Sequence, residues 1–467
     1  MRLYDSLGRK LKEFPVETGR TVSMYACGPT VYHYVHIGNL RTFLTVDLLR
    51  RYFEHRGAEA RLVMNITDVG HMLDDADTGE DKMTAAAAKE SKTPEEIARF
   101  YEAAFFKDME ALKFKPAWKH PRATEHIPQM VALVEQLLDE GQAYVSEKND
   151  VYFDVASFKG YGSLSGNTVE QLVAGARVEV KEDKRHPADF ALWIHNPHHV
   201  MQWKGPRGIQ GYPGWHLECS AMAKEYLGET LDLHVGGEDL KFPHHECEIA
   251  QSESANHAPF SKHWLHVSFL LVEGEKMSKS KGNFYTLQDL LDRGYSAAGI
   301  RWLLLSAHYR TQLNFTLDGL NAAEKTVAYY RELDARLRSA ANGEKPDEAS
   351  LKTFHDAMDE DLNVSKALAI IADLAKAANR ALDTKAMSAE AASTILWCFE
   401  QMLTGVFGLD LAMHAEEAPE DVRMLAAERL AARKAKDWAA SDRLRDEIAA
   451  KGWVVEDAPE GQKLKKA

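Results

Sequence analysis

The hydrophobic pattern near the start of the chain predicts a strand, a helix and a second strand in succession. An apolar run from Val22 to Ala26 ends at Cys27. Apolar residues from Leu40 to Tyr52 then recur at helical spacing, and Gly57 marks the end of the helix. A second apolar run covers Ala60 to Ile66. This βαβ order is typical of a parallel sheet with right-handed crossovers.

The pattern changes several times further along the chain. Residues 93–141 are predicted to be helical, whereas residues 142–213 are mixed and turn-rich, which indicates an insertion between two halves of the sheet. The α/β pattern returns at Leu231–Gly237, which we expect to be a strand followed by a helix. It returns again at Trp264–Val272.

The remainder of the chain is predominantly helical. Helical spacing extends from Leu287 almost without interruption to Gly405. Residues 412–420 have the composition of a linker, and the last stretch predicts two helices and a short strand. A length of 467 residues also favours two to four domains over one.

Composition narrows the class of protein. With 45% hydrophobic and 27% charged residues, the chain is typical of a soluble globular protein. We expect a cytoplasmic protein without a membrane segment, because the start is polar and no apolar run is long enough to span a bilayer. Four cysteines do not make a disulfide framework. A net charge of −14 argues against a general nucleic-acid binder, although local basic patches could still bind one RNA.

A first candidate site is the loop Pro29–Asn39, which opens the first predicted helix. A helix N-terminus after the first strand of a parallel sheet favours phosphate, because its free N–H groups and its dipole attract anions. His36 can hydrogen-bond phosphate oxygens, and Gly38 allows a nucleotide to approach the backbone. By itself this short motif is equally consistent with an ordinary helix start.

A second candidate site is the lysine-rich segment Lys276–Asn283, in which lysines alternate with serines. Such a loop can stabilise a triphosphate while its α-phosphorus is attacked. Alone, it is also consistent with an exposed basic loop. In order, spacing and placement, however, the two motifs together resemble the HIGH and KMSKS signatures of class I aminoacyl-tRNA synthetases.

A third group of residues suggests a metal site. Two thiols, an imidazole and a carboxylate make a reasonable zinc set. The candidates are Cys27, Cys219, His244 and Glu248. His244 and Glu248 are four residues apart on a predicted helix and therefore share a face. Their wide spacing is unlike a zinc finger, and buried inert cysteines with a surface histidine pair remain an alternative from spacing alone.

Longer blocks carry a family resemblance. They are Cys27–Tyr32, Gly214–Met222, Gly236–Glu246 and Glu248–Glu253. These blocks resemble the cysteinyl-tRNA synthetase family, and the match extends from Leu3 to about Glu460. The resemblance implies that Cys27, Cys219, His244 and Glu248 hold one zinc ion per chain, to which the substrate's thiolate also binds. Zinc prefers sulfur to a hydroxyl oxygen, so it would separate cysteine from serine.

The resemblance implies further roles for individual residues. Those matching the ATP site are Thr30, His33, His36, Gly38, Asn39, Asp239 and Lys279; the catalytic residues among these motifs are His36, Asn39, Lys276 and Lys279. Those matching the cysteine pocket are Gly28, Thr67 and Trp215. Those matching anticodon contacts are Arg433, Trp438, Asp442 and Asp457. Without the family, Trp438 would be interpreted as a core aromatic residue on a short helix.

The expected fold is an α/β Rossmann-like class I synthetase catalytic domain with a connective insertion, then an α-helical anticodon-binding bundle and a small mixed C-terminal domain. The expected boundaries are 1–118 with 200–262 for the catalytic domain, 119–199 for the insertion, 263–316 for a stem-contact segment, 317–411 for the bundle and 421–467 for the C-terminal domain. The implied partners of this monomer are the cysteine tRNA, L-cysteine and ATP with Mg²⁺.

Four positions depart from the common family pattern. Val69-Gly70-His71-Met72 replaces acidic residues, Ile194 replaces a lysine, Cys247 stands where asparagine is frequent, and the last residues lack the usual ending. Cys247 lies one residue before Glu248 and is a competing metal ligand, although we favour Glu248.

Three alternative functions remain at this stage. One is the related ligase that joins cysteine to an amino-sugar, which resembles this chain but lacks a long anticodon-binding end. The others are a non-catalytic RNA-binding paralogue and a zinc-structured interaction protein. The intact motifs argue against both.

Overall fold

The structure, a computed structural model, describes residues 1–70, 83, 86–87, 90–167, 183–278, 282–343, 346, 348–411, 419–458 and 461–466. The chain divides into two compact units, Met1–Asp410 and Leu411–Ala467. No helix among the described residues is long and apolar enough to cross a membrane.

The first unit contains fourteen strands within the described ranges. In chain order β1–β14 are Arg2–Asp5, Lys10–Glu13, Thr21–Ala26, Glu59–Met64, Ala143–Val145, Val151–Phe153, Phe190–His195, Trp203–Lys204, Gln210–Pro213, Leu233–Gly237, Trp264–Val267, Leu270–Val272, Glu275–Lys276 and Leu313–Phe315. Its longer helices, α1–α11, are Ile37–His55, Pro94–Ala111, Ile127–Asp139, Trp215–Leu227, His244–Asn256, Leu287–Asp292, Ala297–Leu305, Leu317–Ala340, Lys352–Met358, Val364–Asp383 and Ala389–Phe399. A π-helical segment, Glu400–Val406, follows α11, and short 3₁₀ turns connect other elements.

A four-stranded parallel sheet forms the centre of the first unit, with strand order β11-β10-β3-β4. The predicted βαβ unit is confirmed: β3 and β4 pair along their whole length, and α1 connects them. Strands β3 and β4 share a burial pattern in which only the first residue is exposed. Burial on both faces explains why their sequences are runs of apolar residues without alternation.

The region between α3 and α4 folds as a separate antiparallel sheet, ordered β5-β6-β7-β9-β8. Glycines allow its last strands to pack closely. A Cβ atom on Gly211 would lie 1.9 Å from the carbonyl oxygen of Ile194, and one on Gly214 would lie 2.0 Å from that of Ala191. Ile194 itself is buried in β7, an environment that suits an apolar side chain.

The α/β pattern predicted at Trp264–Val272 corresponds to two strands. β11 ends at Val267 in the parallel sheet, whereas β12 pairs with β13 and β14 in a different sheet. The buried guanidinium of Arg41 holds the junction by donating hydrogen bonds to the carbonyl oxygens of Ser268 and Phe269, at 2.7 and 3.0 Å. A continuous apolar pattern cannot reveal this change of partner.

Where the structure describes it, the second unit consists of two helices and a hairpin. Its elements, α12, α13, β15 and β16, are Glu420–Lys434, Trp438–Ala450, Trp453–Ala458 and Gly461–Lys466. Val422, Ala426, Ile448, Trp453 and Val455 form its core. Sequence analysis predicts only one of the two strands, since β16 is rich in lysine and shows no apolar run.

A buried charge network stabilises the helices behind the parallel sheet. The carboxylate of Asp47, on α1, is completely buried and pairs with the guanidinium groups of Arg51, at 2.7 Å, and Arg301. It also accepts a hydrogen bond of 2.9 Å from the backbone N–H of Lys115. Although burial opposes its ionisation, the two arginines lower the pKa of Asp47 below its usual value.

We predict that Asp47→Asn lowers the free energy of unfolding by about 3–5 kcal/mol, because it leaves Arg301 buried without its counter-ion. Thermal and urea unfolding of the purified proteins measures the change. Asp383→Asn is the matched control, because the Asp383 side chain is 66% exposed and pairs with Arg336 at the surface. Its loss should cost under about 1 kcal/mol. Equal effects of the two substitutions would contradict the assignment.

Candidate active site

A cavity of about 750 Å³ lies at the carboxyl ends of the parallel strands. Ligands bind at this edge of open α/β sheets, because the loops that follow the strands converge there. Most residues selected from the sequence line the cavity. They are Cys27, Gly28, Thr30, His33, His36, Gly38, Asn39, Thr67, Trp215, Cys219, Asp239, His244 and Lys276. Lys279 lies outside the described residues.

The first motif forms a tightly capped helix start. The Nδ1 atom of His36 accepts hydrogen bonds from the backbone N–H groups of Gly38 and Asn39, at 3.1 and 3.2 Å. The Asn39 side chain in turn accepts from the backbone N–H of His36 at 3.3 Å. A neutral imidazole that accepts at Nδ1 carries its proton at Nε2.

The second motif closes against the first. A Cβ atom on Gly38 would lie 2.9 Å from the Met277 methyl carbon and from the His36 ring, so no larger residue has room. The ring of Phe284 lies 5.2 Å from that of His36, edge to face. The backbone N–H of Ile37 donates to the carbonyl oxygen of Tyr285 at 3.0 Å. The two motifs therefore share one wall of the cavity.

Four potential metal ligands converge at the base of the cavity. The Cys27 and Cys219 sulfurs are 3.8 Å apart, and the Cys219 sulfur lies 3.5 Å from His244 Nε2. His244 Nε2 is 2.9 Å from the Glu248 carboxylate, which is also 3.8 Å from the Cys27 sulfur. All four side chains are buried, and their donor atoms lie within 4.8 Å of one another. Two sulfurs, a nitrogen and an oxygen fit a zinc-type ion.

Two histidines absent from the sequence-based selection extend this cluster. His234, on β10, contacts the second carboxylate oxygen of Glu248 at 2.9 Å, and His245 Nε2 lies 3.2 Å from the Cys27 sulfur. With Cys27 and Glu248 they form an overlapping group that could also hold an ion. His245 directly follows His244, and its burial is the signal that only a structure supplies.

The electrostatics differ among the four candidate ligands. Burial opposes ionisation of Glu248, but its ion pairs with His234 and His244 lower the pKa of the carboxyl to about 2. Burial likewise opposes protonation of His244, but Glu248 raises the pKa of this imidazole to about 10. Burial raises the pKa of Cys27 well above its ordinary value. For Cys219, burial is outweighed by a hydrogen bond from Cys27, which lowers the pKa of its thiol.

Cys247 lies apart from the cluster. Its sulfur contacts the Tyr161 hydroxyl at 3.4 Å, in the direction of the antiparallel sheet. Among the described residues it belongs to neither group of potential ligands. Burial raises the pKa of this thiol, as it does that of Cys27, so position and not ionisation separates the two cysteines.

The residues expected to line a cysteine pocket lie beside the potential ligands. Trp215 stacks on His244 with ring centroids 4.2 Å apart. The Thr67 hydroxyl donates to Glu218 at 2.8 Å, and the side chain of Asn65 accepts from the backbone N–H of Gly28 at 2.8 Å. A Cβ atom on Gly28 would lie 1.7 Å from the Asn65 carbonyl oxygen. Sequence analysis selected neither Asn65 nor Glu218, although Glu218 lies inside a family-like block.

Comparison with known proteins agrees with this geometry. Residues 13–325 match the family model for the class I (C) tRNA synthetase catalytic domain, and residues 353–412 match the DALR domain. Residues 415–463 match the cysteinyl-tRNA ligase anticodon-binding domain. A cysteine–tRNA ligase of Thermus thermophilus is 44% identical, over 98% of each chain. The chain belongs to the cysteine–tRNA ligase family.

Other relatives and solved structures agree. The cysteine–tRNA ligase of Chlamydia muridarum is 42% identical over 99% of each chain. Methionyl-tRNA synthetase of Mycobacterium tuberculosis, solved with methionyl-adenylate, superposes with a TM-score of 0.61 at 14% identity, covering 83% of this chain and 92% of that one. At such low identity the superposition establishes the fold alone. The class I synthetase fold expected from the sequence is confirmed.

The residues that the family resemblance relates to the anticodon lie in the second unit. Trp438 begins α13 and is 57% exposed, so the alternative of a core aromatic residue is wrong. The Arg433 guanidinium lies 5.8 Å from the centre of its ring. Asp442 pairs with Arg445 at 3.0 Å on the same helix. Asp457 belongs to β15. An exposed ring beside a guanidinium is a surface on which unpaired RNA bases can stack.

We predict that Cys27→Ser and Glu248→Gln each weaken metal binding by more than about tenfold, because each removes a donor from a four-ligand set. Elemental analysis of the purified proteins, before and after dialysis against a chelator, measures the bound metal. Cys247→Ser is the matched control: it changes a buried cysteine one residue from Glu248 and should keep the metal. Loss of metal in this control would make Cys247 a ligand after all.

Proposed function

We propose that this protein is a cysteine–tRNA ligase that first activates L-cysteine with ATP and then esterifies it to the cysteine tRNA. One observation carries the proposal: two thiols and an imidazole line the same cavity as residues of both ATP-type motifs, and the buried carboxylate of Glu248 completes their group of potential ligands. Full-length relatives at 42–44% identity support it.

In the activation step the cysteine carboxylate attacks the α-phosphorus of ATP, and pyrophosphate leaves. Catalysis by this chain consists mainly of positioning and charge stabilisation, since the reacting carboxylate comes from the substrate. His36 would donate from Nε2 to a phosphate oxygen, and Asn39 holds the His36 backbone in the capping arrangement. Lys276 lines the cavity and contributes positive charge. Lys279 has the same role by resemblance, with Mg²⁺ accompanying ATP.

The residues at the base of the cavity select cysteine as the substrate. We infer that Cys27, Cys219, His244 and Glu248 hold one zinc ion, which when bound coordinates the substrate's sulfur and so favours cysteine over serine. The chain's own residues fix the site: His234 holds Glu248 from behind, and Trp215 covers His244. Thr67 and Gly28 complete the wall next to the sulfurs.

In the second step the terminal ribose hydroxyl of the tRNA attacks the adenylate. We infer a role for each expected segment. Residues 1–118 and 200–262 activate cysteine, residues 119–199 form the insertion, and residues 263–316 contact the tRNA stem. The bundle 317–411 and the domain 421–467 would bind the anticodon arm through Arg433, Trp438, Asp442 and Asp457. We infer that the enzyme acts as a monomer in the cytoplasm, where translation uses its product.

The amino-sugar ligase is the alternative enzyme. It would share activation and metal selection, but it gives no reason for the anticodon-binding match at residues 415–463. The tRNA enzyme is therefore preferred.

We predict that the purified protein catalyses ATP–pyrophosphate exchange with cysteine and at least about 1000-fold less with serine, because binding through sulfur discriminates more strongly than shape. Radiolabelled pyrophosphate exchange measures activation, and esterification of purified cysteine tRNA measures transfer. His36→Ala should lower the exchange rate by about 100-fold, since a donor to the reacting phosphate is lost.

The controls separate the alternatives. His55→Ala, which changes a partly buried histidine at the other end of α1, should keep the exchange rate. Exchange without esterification would favour the amino-sugar ligase. The absence of exchange by metal-loaded protein would contradict the enzymatic proposal as a whole.

A further inference from the structure

The mouth of the cavity carries aromatic side chains that the activation step does not use. Tyr34, Phe100 and Tyr101 pack edge to face, with ring centroids 5.0 Å apart for Tyr34–Tyr101, 5.1 Å for Phe100–Tyr101 and 6.2 Å for Tyr34–Phe100. We refer to these three residues as the rim cluster. Tyr34 belongs to the cavity lining, whereas Phe100 lies on α2, beyond it.

Two rings of the rim cluster are open to solvent. Phe100 is 45% exposed and Tyr34 is 40% exposed, whereas Tyr101 is buried beneath them. Large exposed apolar rings that adjoin a functional cavity are typical of binding surfaces. Since Phe100 hardly contributes to the core, its position has no evident structural purpose.

Polar contacts hold the rim cluster in place and add a positive charge. The Tyr101 hydroxyl donates to the Glu90 carboxylate at 2.6 Å, and Lys92 pairs with the same carboxylate at 2.9 Å. The Lys92 ammonium lies 4.4 Å from the centre of the Phe100 ring. The result is a preorganised aromatic surface with a cation at its edge.

We propose that the rim cluster binds the single-stranded 3′ end of the tRNA, with unpaired bases stacking on Phe100 and Tyr34 and a backbone phosphate near Lys92. This inference rests on the proposed function. The terminal ribose must enter the cavity to be esterified, so the nucleotides before it cross the mouth. Unpaired bases stack on aromatic side chains, and lysine suits the phosphates that connect them.

Two features of the chain favour this occupant. Tyr34 lies two residues before His36, so the surface is continuous with the site of activation. The Lys92 ammonium, although paired with Glu90, lies beside the rings and can contact a phosphate oxygen, a group that an apolar peptide lacks. The adenine of ATP has the same stacking chemistry and is the competing source, which the experiment must distinguish.

The test compares Phe100→Ala with the unchanged protein in three assays. We expect the KM for tRNA in esterification to rise roughly tenfold, because one base–aromatic stack is lost. The KM for ATP and the rate of cysteine-dependent pyrophosphate exchange should not change. Binding of full-length tRNA should weaken by a similar factor, whereas a tRNA that lacks its four 3′-terminal nucleotides should bind both proteins equally.

Matched variants separate stacking from general effects. Phe100→Trp keeps an aromatic face and should retain tRNA affinity, whereas Phe100→Leu keeps apolar bulk and should behave like Phe100→Ala. Trp118→Ala is the control for exposed rings: Trp118 is 46% exposed and lies 5.1 Å from the Arg61 guanidinium, but its ring packs against Tyr226 and not against the rim cluster. It should leave all three assays unchanged.

Each contrary result has a distinct meaning. Equal binding of full-length tRNA by Phe100→Ala and the unchanged protein would overturn the rim proposal while exchange and esterification still support the ligase. A raised KM for ATP in Phe100→Ala would assign the ring to ATP and also overturn the proposal. Because binding is measured without turnover, a failure of the proposed function would appear separately, as absent exchange in the unchanged protein.

Discussion

The geometry of the active site depends on one constraint, the parallel alignment of four adjacent strands. Parallel strands end at the same edge, so the segments that follow β3, β4, β10 and β11 all reach one cavity. Cys27 follows β3 and Asn65 follows β4, whereas Cys219 arrives from α4 after the whole antiparallel insertion. The two cysteine sulfurs, 192 residues apart in sequence, are thereby brought to 3.8 Å.

Buried charged groups impose a second constraint on the structure. A carboxylate without solvent is costly unless cations and hydrogen-bond donors surround it. Glu248 meets this requirement through His234 on β10 and His244 on its own helix, so contacts within the protein hold these candidate ligands in place. Asp47 meets it through Arg51 and Arg301, which connects α1 to α7. The same physics therefore fixes both the site and the helices that support it.

The two ATP-type motifs illustrate how local and long-range interactions combine. His36 caps its own helix, a contact made within four residues. That cap forms part of an active-site wall only because Met277 and Phe284 pack against it from more than two hundred residues away. Gly38 takes part in both the helix cap and the wall of the cavity, since a side chain there would collide with the His36 ring and with Met277.

The sequence by itself determined the βαβ start, the helical second half and the family, because apolar periodicity and motif blocks are local properties of the chain. It also identified Cys27, Cys219, His244 and Glu248 as a set, although only through resemblance. Tertiary structure decided what depends on distant partners: the break after Val267, the added strand β16, and the placing of Cys247 against Tyr161. It also brings His234, His245 and Asn65 into the site and leaves Trp438 exposed to solvent. Burial and proximity result from packing, so no periodic pattern in the sequence predicts them.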